Sequence, residues 1–351
     1  MNKKRILILT IAAAALLAGA SQAAFLLRYP YFRKYAAQNG ISLREARKTW
    51  GRPDKLSEVA MGLTVEAALE NWDAVAALAA EDRKSEIGTY YYNLANAHRG
   101  ALADRLLDYY QPFERGLFLP VGERSTPFQI ACAGDVWFAL GDMSMAERDA
   151  MLGMLFSPAH TGPRYLRRLA ETNLVTGDHE AASKYLRILS NTPSERAWAQ
   201  ERFLDAWSPE YRARIGQKRA LLPRHDIVHG MDQTQLILRI LLHSNPDNRM
   251  ALDYLLCYDL LTKDLDAFVA DYDPGRTASH LYEEAMLIFL AAKGGMDGEN
   301  FSHYHISERN FQRFNDFVRI YKRDGGSLQN LTEEFGKTYW YFYYFAKRNE
   351  N

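Results

Sequence analysis

Residues 162–193 read GPRYLRRLAETNLVTGDHEAASKYLRILSNTP, and this stretch decides the fold class. Leu166, Leu169, Ala170 and Leu174 recur at the three- and four-residue spacing of one helical face. Gly177-Asp178 interrupts that face. Glycine closes a helix by entering the left-handed region, and aspartate caps the next one through its carboxylate. Ala181, Ala182, Tyr185, Leu186 and Leu189 then form a second apolar face, which Pro193 stops. The unit predicts an αα-hairpin.

The same order recurs along the chain. Leu63 to Leu69 breaks at Asn71-Trp72-Asp73 and resumes with Val75 and Leu78. Tyr91 to Ala97 breaks at Gly100 and resumes with Leu102, Ala103, Leu106 and Leu107. Phe128 to Leu140 breaks at Gly141-Asp142 and resumes from Met151 to Phe156. A helix through Leu252, Leu255 and Leu260 breaks near Thr262-Lys263-Asp264 and resumes with Leu265 and Phe268; another runs from Ala278 to Ala292. The first four breaks are 29, 41 and 36 residues apart, the spacing of paired-helix repeats. Composition agrees: 45 Ala and 43 Leu stand against 9 Val and 14 Ile, which favours helix over strand.

Leu169-Ala170, Leu174, Gly177-Asp178, Ala181-Ala182, Tyr185-Leu186 and Pro193 resemble the tetratricopeptide pattern, and Asn93 to Ala97 with Gly100 and Leu102-Ala103 resembles a second copy. The resemblance implies an all-α chain of degenerate TPR-like αα-hairpin repeats, stacked as a solenoid behind an N-terminal apolar helix. Spacing is irregular, the usual early Trp is missing from residues 162–193, and Ser194 to His243 fits poorly. Taken whole, Asn71 to Phe268 also resembles an uncharacterised family of envelope proteins from Bacteroidetes-type bacteria. Tyr90 to Ala95, Arg168 to Leu174, Asn245-Pro246 and Tyr254-Leu255-Leu256 carry that likeness. It implies location and fold, and no activity. The resemblance implies a family whose members often carry several membrane spans ahead of the helical region, whereas this chain has at most one.

Lys3, Lys4 and Arg5 precede an apolar run from Ile6 to Leu27, broken only by Thr10, Ser21 and Gln22 among polar residues. Two readings fit residues 1–27: a secretory signal cut after Ser21-Gln22-Ala23, or a retained transmembrane anchor. Residues 28–55 follow as a basic juxtamembrane segment, with Arg28, Arg33, Lys34, Arg44, Arg47, Lys48, Arg52 and Lys55 against Glu45 and Asp54. Basic flanks of this kind attract anionic lipid. Residues 56–351 make the helical-repeat domain. The expectation is a cell-envelope protein, anchored with its bulk outside the cytoplasm or exported after cleavage.

Candidate chemistry is sparse. The chain carries 43 basic and 43 acidic residues, a balance that argues against nucleic acid as a partner. His225 and His229 share metalloprotease spacing, but Asp226 stands where the general base is Glu, and Pro223 and Gly230 favour a loop. His303 and His305 alternate in a loop with no carboxylate cluster at ligand spacing. Cys132 and Cys257 sit in apolar helical runs and read as buried thiols. No phosphate loop, nucleophile elbow or paired-carboxylate site is present, so no catalytic, metal or cofactor-binding residue is assigned and no cofactor is expected. Tyr339 to Phe345, seven aromatic residues in succession, read as a docked C-terminal cap or as an exposed binding patch. Tyr90-Tyr91-Tyr92 straddle core and groove. Arg212, Arg214, Lys218, Arg219 and Arg224 form a basic stripe, either solvated or facing an anionic partner. The expected function is non-enzymatic: protein–protein interaction or scaffolding, with a protein partner. The alternatives are a glycan- or peptidoglycan-binding module and a cell-wall hydrolase on a helical scaffold.

Overall fold

The computed structural model describes residues 24–25, 27–157, 160, 162–224, 233–323 and 328–348. Among them the regular structure is helical, with no strand. The first five helices are α1 (Pro30–Gln38), α2 (Leu43–Trp50), α3 (Lys55–Ala68), α4 (Trp72–Ala79) and α5 (Glu86–His98). After them come α6 (Leu102–Arg105), α7 (Pro127–Leu140), α8 (Met143–Phe156), α9 (Pro163–Thr176), α10 (His179–Ser190), α11 (Arg196–Gln200) and α12 (Pro209–Arg219). The C-terminal part holds α13 (Thr234–Ser244), α14 (Arg249–Thr262), α15 (Leu265–Asp271), α16 (His280–Lys293), α17 (Gly298–His303), α18 (Glu308–Arg323), α19 (Leu328–Phe335) and α20 (Tyr339–Phe345).

The breaks work as the sequence predicts. Gly141 at φ 100° ends α7, and Asp142 accepts the Met145 N–H at 3.0 Å to start α8. Gly177 at φ 93° and Asp178, on the Ala181 N–H at 2.9 Å, repeat the device between α9 and α10. At the third site Lys263 takes the left-handed position at φ 63°, and Asp264 caps α15. Most packing joins chain neighbours: α7 on α8, α8 on α9, α9 on α10, α14 on α15 and α15 on α16.

Two features depart from a simple array. The run expected after Gly100 is one turn, α6, continued by 3-10 turns at Leu106–Asp108 and Phe113–Gly116. Polar groups of α5 hold it in that shape: Asn93 Nδ2 donates to Gly116 O at 2.9 Å, and Thr89 Oγ1 to Tyr110 O at 2.9 Å. Gln111, paired with Asn93, donates in turn to Leu106 O. Secondly, α14 packs back on α5, α6 and the Phe113–Gly116 turn, so one apolar core runs from Val59 to Phe342. In a linear solenoid each repeat touches only its neighbours.

Residues 28–55 are folded. Phe32, Tyr35 and Ala36 of α1, Ile41, and Ala46 of α2 are buried with Met61 and Val65 of α3. Among the described residues no helix is long and apolar enough to cross a membrane. Residues 1–23 and Leu26, the bulk of the predicted apolar segment, lie outside the described residues.

Candidate functional site

Between α7, α8 and α9 lies a small cleft, with Gln38 of α1, Glu195 and Trp198 also on its wall. Gly134 is what brings α7 against α8 there: a Cβ at this position would stand 3.1 Å from the Asp149 Cβ.

The floor is a buried charge network centred on Asp135. Asp135 Oδ2 accepts from Arg164 at 3.0 Å and from the Tyr91 hydroxyl at 2.8 Å, while Oδ1 accepts from Arg168 at 3.0 Å. Arg164 also donates to Thr64 O of α3 at 3.1 Å and Ala131 O of α7 at 3.3 Å. One guanidinium and one carboxylate therefore tie α3, α5, α7 and α9 together, and both are only 8% exposed. Charge-assisted hydrogen bonds of this kind are about twice as strong as neutral ones. Arg167 pairs with Glu195, and Arg168 also reaches Glu171 at 3.3 Å.

Asp149 on α8 differs. Its Oδ1 accepts from Arg148 at 2.8 Å, but its Oδ2 is buried and has no hydrogen-bond partner. The residue is 1% exposed, and burial pushes its carboxyl above the ordinary range against the pull of Arg148. Gln38 Oε1 is a second buried acceptor without a partner. The guanidinium groups on the wall are matched by carboxylates, so the open valences of the cleft are acceptors.

A family model described as a family of unknown function (DUF6057) matches residues 4–346. The chain belongs to this family. No curated protein and no solved structure matches it. Membership agrees with the resemblance to an uncharacterised family and adds no chemistry.

In this DUF6057 chain the residues singled out from sequence fall at other places. His303 and His305 are exposed, and among the described residues no group of three or more His, Cys, Asp or Glu is placed to hold a metal ion. His225 and His229 lie outside the described residues. Cys132 and Cys257 are free and buried, and burial pushes the Cys132 thiol up to about 12. Tyr90, Tyr91 and Tyr92 are all buried. The Tyr90 hydroxyl enters α7: it donates to Cys132 O at 2.9 Å and accepts from Val136 N–H at 3.1 Å, two groups one helical turn apart.

The basic stripe on α12 meets the carboxyl ends of other helices. Arg214 pairs with Glu70 just beyond α3. Lys218 Nζ donates to Phe138 O at 3.3 Å in the last turn of α7. Arg219 donates to Leu174 O and Val175 O at 3.0 and 2.9 Å in the last turn of α9. Cations belong at these ends, where carbonyls lack partners and the helix dipole is negative. Burial lowers Lys218 to about 8.

The aromatic run forms α20, docked rather than displayed. Tyr339 and Trp340 are fully buried; the Trp340 indole donates to Glu284 O at 2.9 Å, and the Tyr339 hydroxyl to Leu260 O at 2.9 Å. Lys263 Nζ donates to Tyr343 O and Ala346 O at the end of the helix. Tyr344, 47% exposed, is the ring of this run that faces solvent most.

Proposed function

We propose that the chain is a non-enzymatic, envelope-associated helical-repeat protein that binds another protein and holds it in a complex. Its αα-hairpins are read as degenerate TPR-like repeats, with residues 1–27 as export signal or anchor. The observation that carries the reading is Asp149 Oδ2, a buried carboxylate oxygen without a partner on the wall of the α7–α9 cleft. Leaving such an acceptor unmet costs about 1–3 kcal/mol, more when it is charged, and a donor from a bound chain removes that cost. A lysine, an asparagine or a backbone N–H of a partner has the required chemistry, and Gln38 Oε1 offers a second point of attachment.

The test is a photoreactive residue placed at Trp198, on the cleft wall, and separately at exposed Lys184 on α10. The expected result is one discrete protein adduct from position 198 in cells, absent from position 184 and weakened by Asp149→Asn. No adduct from position 198, or the same adducts from both positions, would overturn the reading.

A further inference from the structure

The neutral chain is electrically bipolar. Residues 28–55 hold eight basic and two acidic residues, net +6, whereas residues 56–351 hold 32 basic and 41 acidic, net −9. The fold decides how that positive charge is presented. All eight basic residues of the segment are exposed, while Phe32, Tyr35, Ala36 and Ala46 point into the core. Arg44 and Lys48 fall on the side of α2 away from Ala46 and Trp50, while Arg47 lies over the Phe25 ring.

Both acidic residues are engaged by helix starts. Glu45 forms a capping box with Ser42, and Asp54 accepts the Ser57 N–H at 2.7 Å. The capping hydrogen bonds hold both carboxyls below their ordinary range, so they stay ionised, and the net +6 already counts them. Lys34 and Lys55 pair with Glu66 and Glu81. Arg33 on α1, Arg44 and Lys48 on α2 and Arg52 in the turn after it remain as exposed cations. The segment is joined directly to the apolar run Ile6 to Leu27.

We propose that α1 and α2 dock on an anionic lipid surface, with the acidic remainder of the chain repelled from it and turned away. Two things on the molecule choose lipid over other polyanions: the cationic face adjoins a membrane-length apolar segment, and the rest of the chain carries the opposite sign. Each exposed Lys or Arg near an anionic bilayer is worth roughly fivefold in partition, and the attraction is lost beyond a Debye length. The inference rests on the reading of Ile6 to Leu27 as a membrane-directed segment and is independent of the α7–α9 cleft.

The test uses full-length protein in lipid nanodiscs, either zwitterionic phosphatidylcholine or the same lipid with about 30% phosphatidylglycerol, at low ionic strength. Lysine acetylation is followed by mass spectrometry. Labelling of Lys48 should slow by roughly threefold or more in the anionic discs, and labelling of Lys184 and Lys322 should not change. The slowing should vanish in about 0.5 M salt and in the variant Arg33→Gln/Arg44→Gln/Arg52→Gln. Equal labelling of Lys48 in both discs overturns the proposal, as does protection that the triple variant retains. If the chain enters neither disc, the anchor reading fails, and sedimentation with vesicles of the same two compositions decides the docking. Roughly tenfold stronger binding to the anionic vesicles sustains it, and equal binding overturns it.

Discussion

Replacing Asp135 by alanine removes the centre of the buried network. Arg164 would keep only the carbonyls of Thr64 and Ala131, at 8% exposure, and the Tyr91 hydroxyl would lose its acceptor. Breaking a buried ion pair from one side costs about 3–5 kcal/mol, because the surviving charge stays desolvated. The orphaned hydroxyl adds roughly 1 kcal/mol. A loss of about 4–6 kcal/mol is a large part of the total stability of an ordinary domain. Urea unfolding followed by far-ultraviolet circular dichroism should show the midpoint falling by more than about 1 M. The double variant Asp135→Leu/Arg164→Met removes both charges, and Arg168 still has Glu171; it should recover part of the loss. A single-variant cost below about 1 kcal/mol would refute the reasoning, as would a double variant no more stable than the single one.

Three further outcomes are expected. Trp340→Ala should cost about 3–5 kcal/mol in the same assay, while Tyr344→Ala, a half-exposed ring against Phe317 and Tyr321, should cost only about 1 kcal/mol; equal effects would mean that α20 is not a docked cap. Burial raises Glu284 to about 7 from an ordinary 4.5, so between those values the folded chain holds a proton that the unfolded chain releases, and stability falls as pH rises through that window. Glu284→Gln keeps the group neutral and should melt above the wild type at pH 8 and alongside it below pH 4.5; parallel curves would contradict this. Tyr90→Phe should cost about 1–2 kcal/mol by stripping the hydroxyl from Cys132 O and Val136 N–H. An unchanged midpoint would show that the helix closes its own bond instead.

Helix boundaries were legible because they are local. Gly141-Asp142 and Gly177-Asp178 carry both a left-handed stop and an N-cap within two residues, so no distant contact is needed to read them. The seven aromatic residues of α20 announced a large buried surface, although only the structure distinguishes Trp340 from Tyr344. The cleft was not legible. Arg164, Arg167 and Arg168 look like a solvated helical face, and nothing local marks Asp135 as the partner of Arg164 and Arg168, or Glu195 as that of Arg167, each about 30 positions away. Arg164 at the first turn of α9, beside Tyr165, was the available signal, since two large side chains there must enter the core or stand in water. The stripe on α12 was visible as charge, but its partners, the last turns of α7 and α9, lie about 80 and 45 positions away. The run after Gly100 was misread because Asn93 and Thr89 of the preceding helix, not its own apolar spacing, decide its shape.

The most direct measurement for the central claim is amide hydrogen exchange of the purified full chain, alone and with the protein captured from position 198. The predicted result is slowed exchange in segments lining the α7–α9 cleft, around Ala131 to Asp135, Ala146 to Ala150 and Arg164 to Glu171, lost with Asp149→Asn. Protection confined to other faces, with these three segments unchanged, would contradict it.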